Sequence, residues 1–374
     1  MQILSPFDDY PIHQTSEPIL NPVSPERNFY ERYWFNGFCP KQKLMFGIGF
    51  GFYPNRQIMD AHFSISVDGK QHSFHASSRI NPQRMPMKIG PLELSVKEPM
   101  RIIQFTIANN DHPISCDLTF SARSASLLEP QSILKQDNRI ILNTHRFTQL
   151  GRWTGNVSID GHALNLNEIF GTRDKSWGVR PVGEPEIGAP PSSNHEPGVY
   201  WCWAPIHFDS FATLFGTFQD RDGIPTQISA HKTSLFSNSS FEDKDAISED
   251  LHDVSHHVTW QKGTRWSKAA KILGKDKNGS EVCIELETLG PKFYCKGIGY
   301  QHPEWGHGIW KGEEAFGYEV WDLESINPED FTFFHVHQIA KARLGENSGF
   351  GTLENLPVGR HDPSGFKDLF DVAQ

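Results

Sequence analysis

Short apolar and aromatic runs punctuated by turn residues recur along nearly the whole chain, and few of them carry the spacing of an amphipathic helix. Ala61–Val67 shows the rule most cleanly. Phe63, Ile65 and Val67 fall on one face of an extended segment and His62, Ser64 and Ser66 on the other. Asp68-Gly69 then predicts a tight hairpin turn. Leu44–Tyr53 is a second aromatic run, interrupted by Gly47, Gly49 and Gly51, which predicts a bend or a close approach by another backbone or a ligand. In the second half, Val199–Pro205 and Phe211–Phe218 read as strands, with a turn at Asp222-Gly223. Ala269–Gly274 and Glu281–Glu287 flank an Asn278-Gly279 hairpin turn, with Val282, Ile284 and Leu286 on the dry face. Phe331–Ile339 reads as a late strand, and only the acidic, Ser-rich Ser237–Val254 suits a helix or a long loop.

Many short strands with almost no helix predict an all-β fold of tandem antiparallel barrels or sandwiches. The expected division is a proline-rich arm over 1–28, β-domains over 29–185 and 186–345, and a tail over 346–374 contributing at most a short closing strand. Aligning Tyr53-Pro54 with Ala204-Pro205 brings the two Asp-Gly turns into approximate register, as two copies of one unit would.

Composition narrows the function. Ten Trp and 27 Phe suit packed sheets and aromatic pockets, and the net charge of −10 without a basic run disfavours nucleic acid and anionic membranes. The five cysteines are widely spaced and suggest free thiols, no run approaches the length needed for a transmembrane helix, and the N-terminus lacks a secretory pattern. A cytoplasmic location is expected. No phosphate-binding loop or nucleophile elbow occurs in the context either requires, so no cofactor is expected. His335 and His337 form a strand pair able to bind a metal, yet no third ligand completes a familiar set, so no metal is assigned.

Candidate chemistry gathers in Phe170–Pro181, where Arg173, Asp174, Trp177 and Arg180 crowd one strand end near the middle of the chain. A carboxylic acid buried among aromatic rings stays protonated to higher pH and can donate a proton. Asp174 is the first candidate acid and Glu319 the second; Glu304 also has an aromatic neighbour. Direct pairing with Arg173 would make Asp174 structural, but neighbours on a strand point to opposite faces. Arg173, Trp177, Tyr200, Trp203, His207, Tyr318, Trp321, His335 and His337 are the candidate substrate contacts. Tyr200-Trp201-Cys202-Trp203 and His207 read as a pocket wall, and the same aromatic stretch also suits plain core packing.

Arg173-Asp174-x-x-Trp177-Gly178, together with the aromatic stretch Glu31–Phe38, resembles the signature of the AttH/carotenoid 1,2-hydratase-like superfamily. The resemblance implies two lipocalin-like barrels in tandem with a hydrophobic pocket at or between them. Lys175 stands where that signature commonly has His, and Cys39 where some relatives carry an acidic residue. These departures point away from a carotenoid hydratase itself. The expected function is a cofactor-independent hydratase or cyclase (a lyase or isomerase) acting on a lipophilic isoprenoid, steroid or polyketide. The alternative is a lipophile carrier without chemistry. A glycan-binding sandwich would instead place Trp305 and Trp310 on an open surface.

Overall fold

The computed structural model describes residues 9, 11–12, 14–19, 21–81, 85–136, 139–183, 198–236 and 247–374. The first half supplies β1 (Phe29–Cys39), β2 (Leu44–Tyr53), β3 (Ile58–Val67), β4 (Lys70–Arg79), β5 (Met87–Ile89), β6 (Leu92–Glu98), β7 (Ile102–Ile107), β8 (Ile114–Ala122), β9 (Leu127–Leu128), β10 (Ser132–Gln136), β11 (Arg139–Ile159) and β12 (His162–Val179). The second half supplies β13 (Gly198–His207), β14 (Phe211–Gln219), β15 (Pro225–Ser234), β16 (Ser248–Asp250), β17 (His252–Trp260), β18 (Ser267–Lys275), β19 (Glu281–Tyr294), β20 (Glu314–Asp322), β21 (Val336–Leu344) and β22 (Asn347–Gly359). The protein is all-β, with two nearly closed antiparallel, barrel-like sheets.

The 13-stranded sheet runs β20-β4-β3-β2-β1-β12-β11-β8-β7-β6-β5, with β9 and β10 added along β11; the nine-stranded sheet runs β16-β15-β14-β13-β22-β21-β19-β18-β17. Asp68-Gly69 and Asp160-Gly161 close hairpins with positive φ at both central residues, the geometry that matches strand twist. β20 crosses from the second half to pair with β4, and its Phe316 ring fills the space above Gly90 just beyond β5. It thereby covers the gap between the two ends of the first sheet.

Each sheet wraps its own dry core. Phe35, Phe46, Ile48, Phe63, Phe120 and Trp153 belong to the first, and Tyr200, Cys202, Phe215, Ile272, Leu286 and Leu353 to the second. A third cluster, including Trp34, Phe38, Met45, Trp201, Trp203, Phe293 and Ile339, joins the outer faces of both sheets. The glycines of β2 permit this contact. A Cβ at Gly47 would sit 2.7 Å from the Phe293 ring, and one at Gly49 would collide with the Arg32 guanidinium. The close approach expected of these glycines is therefore made by side chains of the seam.

Both faces of β3 are buried, the polar one because Cys295–Ile298 lies over Ser64 and Gln71. Several expectations are corrected. Residues 347–359, expected as part of a tail, form β22 inside the second sheet between β13 and β21. Phe331–Phe333 is a 3-10 turn, and the late strand begins at Val336. Within Ser237–Val254, residues 237–246 lie outside the described residues, and β16 and the start of β17 occupy most of the rest. Tyr53 ends β2 whereas Ala204 lies inside β13, so the proposed repeat alignment joins non-equivalent positions.

Candidate active site

The seam between the sheets holds a cavity of about 250 Å³. β1 contributes Tyr30, Arg32 and Trp34, β11 contributes Arg146, and β12 contributes Asp174 and Ser176. From the other side come Trp201 and Trp203 of β13 and Glu354 of β22, with Tyr300 and His335 from connecting segments. Strand alternation selects these residues: Asp174 and Ser176 face the cavity while Arg173, Lys175 and Trp177 face away. This hollow lies between the cylinders, and a second space of about 620 Å³ opens at the first one, lined in part by Tyr33, Phe52, Met87, Leu94 and Lys175.

The Asp174 side chain makes no hydrogen bond or ion pair among the described residues. Burial raises its pKa to about 7, against the opposing pull of Arg146 and with help from Glu129 and Glu354. By surface area it is only half-buried, because it lines the cavity; the surrounding protein still removes most of the water that would stabilise its charge. Arg146 is itself neutralised by Glu129, whose Oε1 accepts from its Nε at 2.8 Å, and its guanidinium lies 4.6 Å from the Trp201 ring. Arg32 is likewise paired with Asp60 at 3.2 Å and donates to the Ile298 carbonyl at 2.8 Å.

Opposite these lies a fixed hydrogen-bond chain. Asn36 Oδ1 accepts from the Thr172 amide, so its Nδ2 donates to His337 Nε2 at 2.9 Å. That leaves the His337 Nδ1 proton for Glu354 Oε2, at 2.6 Å. Glu354 Oε1 accepts from His335 Nε2 and from the Trp201 indole, each at 2.8 Å. Burial alone would raise the Glu354 carboxyl, but the imidazole hydrogen bonds outweigh it and hold the group well below the usual range. His335 Nδ1 is buried without a partner. The site thus combines a protonated acid near neutrality with an ionised carboxylate held by two imidazoles.

The structure brings Asp174, Trp203 and His335 to the cavity wall and places His337 directly behind it. It does not bring the others there. Arg173 points into the first sheet, where its Nε donates to Gln149 and burial pulls its pKa down to about 10. Trp177 stacks on His145 outside the wall. Tyr200 faces the second core, bonded to His256 and stacked on His361, because residue 200 alternates with 201 and 203. His207 lies further along the seam against Phe38 and Phe170, with both ring nitrogens unpartnered.

Tyr318, Glu319 and Trp321 ride on β20 at the edge of the first sheet. Tyr318 meets His72 and Trp321 packs on Phe333. Burial opposes charge on Glu319, but the hydrogen bond from His302 and the nearby His75 imidazole outweigh it and hold the carboxyl well below its ordinary value. An ionised, paired carboxylate is unsuited to donate a proton. Sequence reasoning missed Glu354, Tyr300 and Arg146; Trp201 stood in the Tyr200–Trp203 stretch, where strand alternation from Trp203 separates it from Tyr200.

Two groups have metal-ligand spacing among the described residues: His75, His302 and Glu319, and Cys295, His335 and Glu354. In the first, His302 Nδ1 accepts from the Glu304 and Trp305 amides, so Nε2 carries the proton given to Glu319 and has no lone pair for an ion. In the second, three donors already occupy Glu354, one of them His335 Nε2. Hydrogen bonding accounts for the first group and for Glu354 in the second. Of the two tryptophans a glycan surface would expose, Trp310 is exposed but Trp305 is buried against His75.

The fold defines a tandem lipocalin-like protein of AttH-like architecture. It is similar to a protein described as an AttH from Nitrosomonas europaea, with a TM-score of 0.53 and 14% identity over 88% of this chain and 92% of that one. It is also similar to kievitone hydratase from Nectria haematococca, with a TM-score of 0.49 and 9% identity over 87% and 88% of the two chains. No curated protein matches the sequence. The chain belongs to the family of unknown function DUF8625, which matches residues 4–367. No helix among the described residues is long and apolar enough to cross a membrane.

Proposed function

We propose that the protein is a cofactor-independent hydratase, acting on an alkene carried by a compact lipophilic molecule or by the reacting end of a longer one. The observation that carries this reading is Asp174, an unpaired carboxylic acid with a pKa near 7 on the wall of an aromatic cavity. At about 250 Å³ the space lies just below the roughly 300–1,000 Å³ usual for small-molecule sites. It suits an isoprenoid-sized fragment better than a whole long chain.

Asp174 gives its proton to one alkene carbon, forming a C–H bond. The Trp34, Trp203 and Tyr300 rings and the Glu354 carboxylate stabilise the positive charge that develops on the other carbon. Water forms the new C–O bond there, and its surplus proton passes to the Glu354–His335 pair. Exchange with solvent then returns both groups to their starting states. The pairing of an acid with a base favours hydration over cyclisation, which needs chiefly shape.

The test supplies geranic acid, geraniol and methyl geranate in isotopically labelled water and follows label in the products by mass spectrometry. Wild-type protein incorporates label into a bound probe. Asp174→Asn loses at least about 100-fold in rate while keeping affinity. Binding without label in any bound probe overturns this reading in favour of a carrier.

A further inference from the structure

The cavity holds three guanidinium groups in unequal circumstances. Arg32 has Asp60, and Arg146 has Glu129. Arg180, immediately after β12, has no carboxylate partner among the described residues. Its one hydrogen bond there runs from Nη2 to His307 Nδ1 at 2.9 Å. His307 Nε2 donates to the Ile298 carbonyl at 2.9 Å, so Nδ1 carries a lone pair and can only accept. Burial and the neighbouring cations Arg32 and Arg180 keep this imidazole neutral, well below its ordinary pKa. The imidazole therefore orients the guanidinium without cancelling its charge.

Two rings complete the clamp. The guanidinium carbon lies 4.7 Å from the Tyr30 ring and 6.0 Å from that of Tyr300, and all three side chains line the cavity. A guanidinium held between rings and bonded through one edge leaves its remaining N–H donors for an acceptor in the open space. Planar, paired N–H groups of this kind match a carboxylate, which accepts two parallel hydrogen bonds. An unpaired charge in such a setting is costly unless a counter-charge arrives.

We propose that Arg180 is the anchor for an anionic oxygen head, a carboxylate, on the ligand of the seam cavity. The substrate class is thus an amphipathic unsaturated acid rather than a neutral hydrocarbon or alcohol. This rests on the reading of the cavity as the ligand site. It adds an orientation, with the acid head held at Arg180 and the alkene left to reach Asp174.

Isothermal titration calorimetry with geranic acid, geraniol and methyl geranate tests the anchor on one carbon skeleton. At about pH 6 the free carboxylic acid is ionised while most of Asp174 is protonated. Wild-type protein binds geranic acid at least about tenfold tighter than methyl geranate, the equivalent of one charge-assisted contact. Arg180→Gln removes that preference and leaves methyl geranate within about twofold of wild type, whereas Arg180→Lys retains part of it. Circular dichroism and melting curves confirm that both variants fold. A geranic acid preference that is absent in wild type, or that survives in Arg180→Gln, overturns the anchor alone. Refusal of all three probes by folded wild-type protein overturns the ligand cavity and the anchor with it.

Discussion

Asp174 carries opposite consequences for chemistry and for stability. Its proton is held up to about pH 7 in the folded chain against an ordinary 3.8, so folding takes up a proton between those values. Stability contributed by this group falls as pH rises through that window, because the folded state must then accommodate a poorly solvated charge. Replacing Asp174 with Asn removes the charge and keeps the shape. The variant should melt higher than wild type at about pH 8, with the gain vanishing near pH 4, as differential scanning calorimetry would show. Such a gain would mark Asp174 as a group held at a cost to stability, as a functional acid is. The two candidate acids were distinguishable only through their surroundings: Asp174 and Glu319 both have aromatic neighbours in sequence, yet one stands alone and the other lies between two imidazoles.

At the scale of elements, the alternation of each strand was readable from the chain, but the identity of what covers each face was not. Phe63 and His62 were correctly separated, yet both are buried, since a segment over two hundred positions later in the sequence roofs the polar side. Tyr200 and Trp203 were grouped as one wall although they lie on opposite faces of β13. Pairing between distant segments is what local pattern cannot reveal. β20 looked like part of the second unit and Glu354 like part of a tail; only the register places one on β4 and the other beside Trp203. This placement assigns Glu319 to docking its strand. Glu319→Gln should cost about 1–3 kcal/mol in urea unfolding, through the hydrogen bond it accepts from His302 and its 3.5 Å contact with His75, while probe affinity stays unchanged.

Across the whole molecule, buried neutral imidazoles set the response to acid. Burial pushes His75 down to about 3 and His256 and His361 to about 4, from an ordinary 6.5. The unfolded chain therefore binds these protons first, and native stability is lost as pH falls below about 6.5 toward those values. Urea midpoints measured between pH 7 and pH 5 should fall steadily, by more than the Asp174 contribution raises them. A flat profile would mean that these imidazoles already carry protons in the native state. The tandem all-β architecture was visible in the spacing of strands and turns. A pocket at or between the barrels was expected from the family resemblance, but which strand faces line the seam cavity was not legible, since that depends on how two outer faces meet.

The crossing of β20 has a consequence for how the chain is made. Domains emerging from a ribosome ordinarily fold in order, the N-terminal one first. Here the barrel that begins at Phe29 lacks its last stave until Asp322 has been synthesised, so β4 waits with an open edge through most of translation. Such an edge is a template for unwanted pairing. The two halves are therefore a single folding unit, completed late, and the chamber at their seam cannot form before both walls exist.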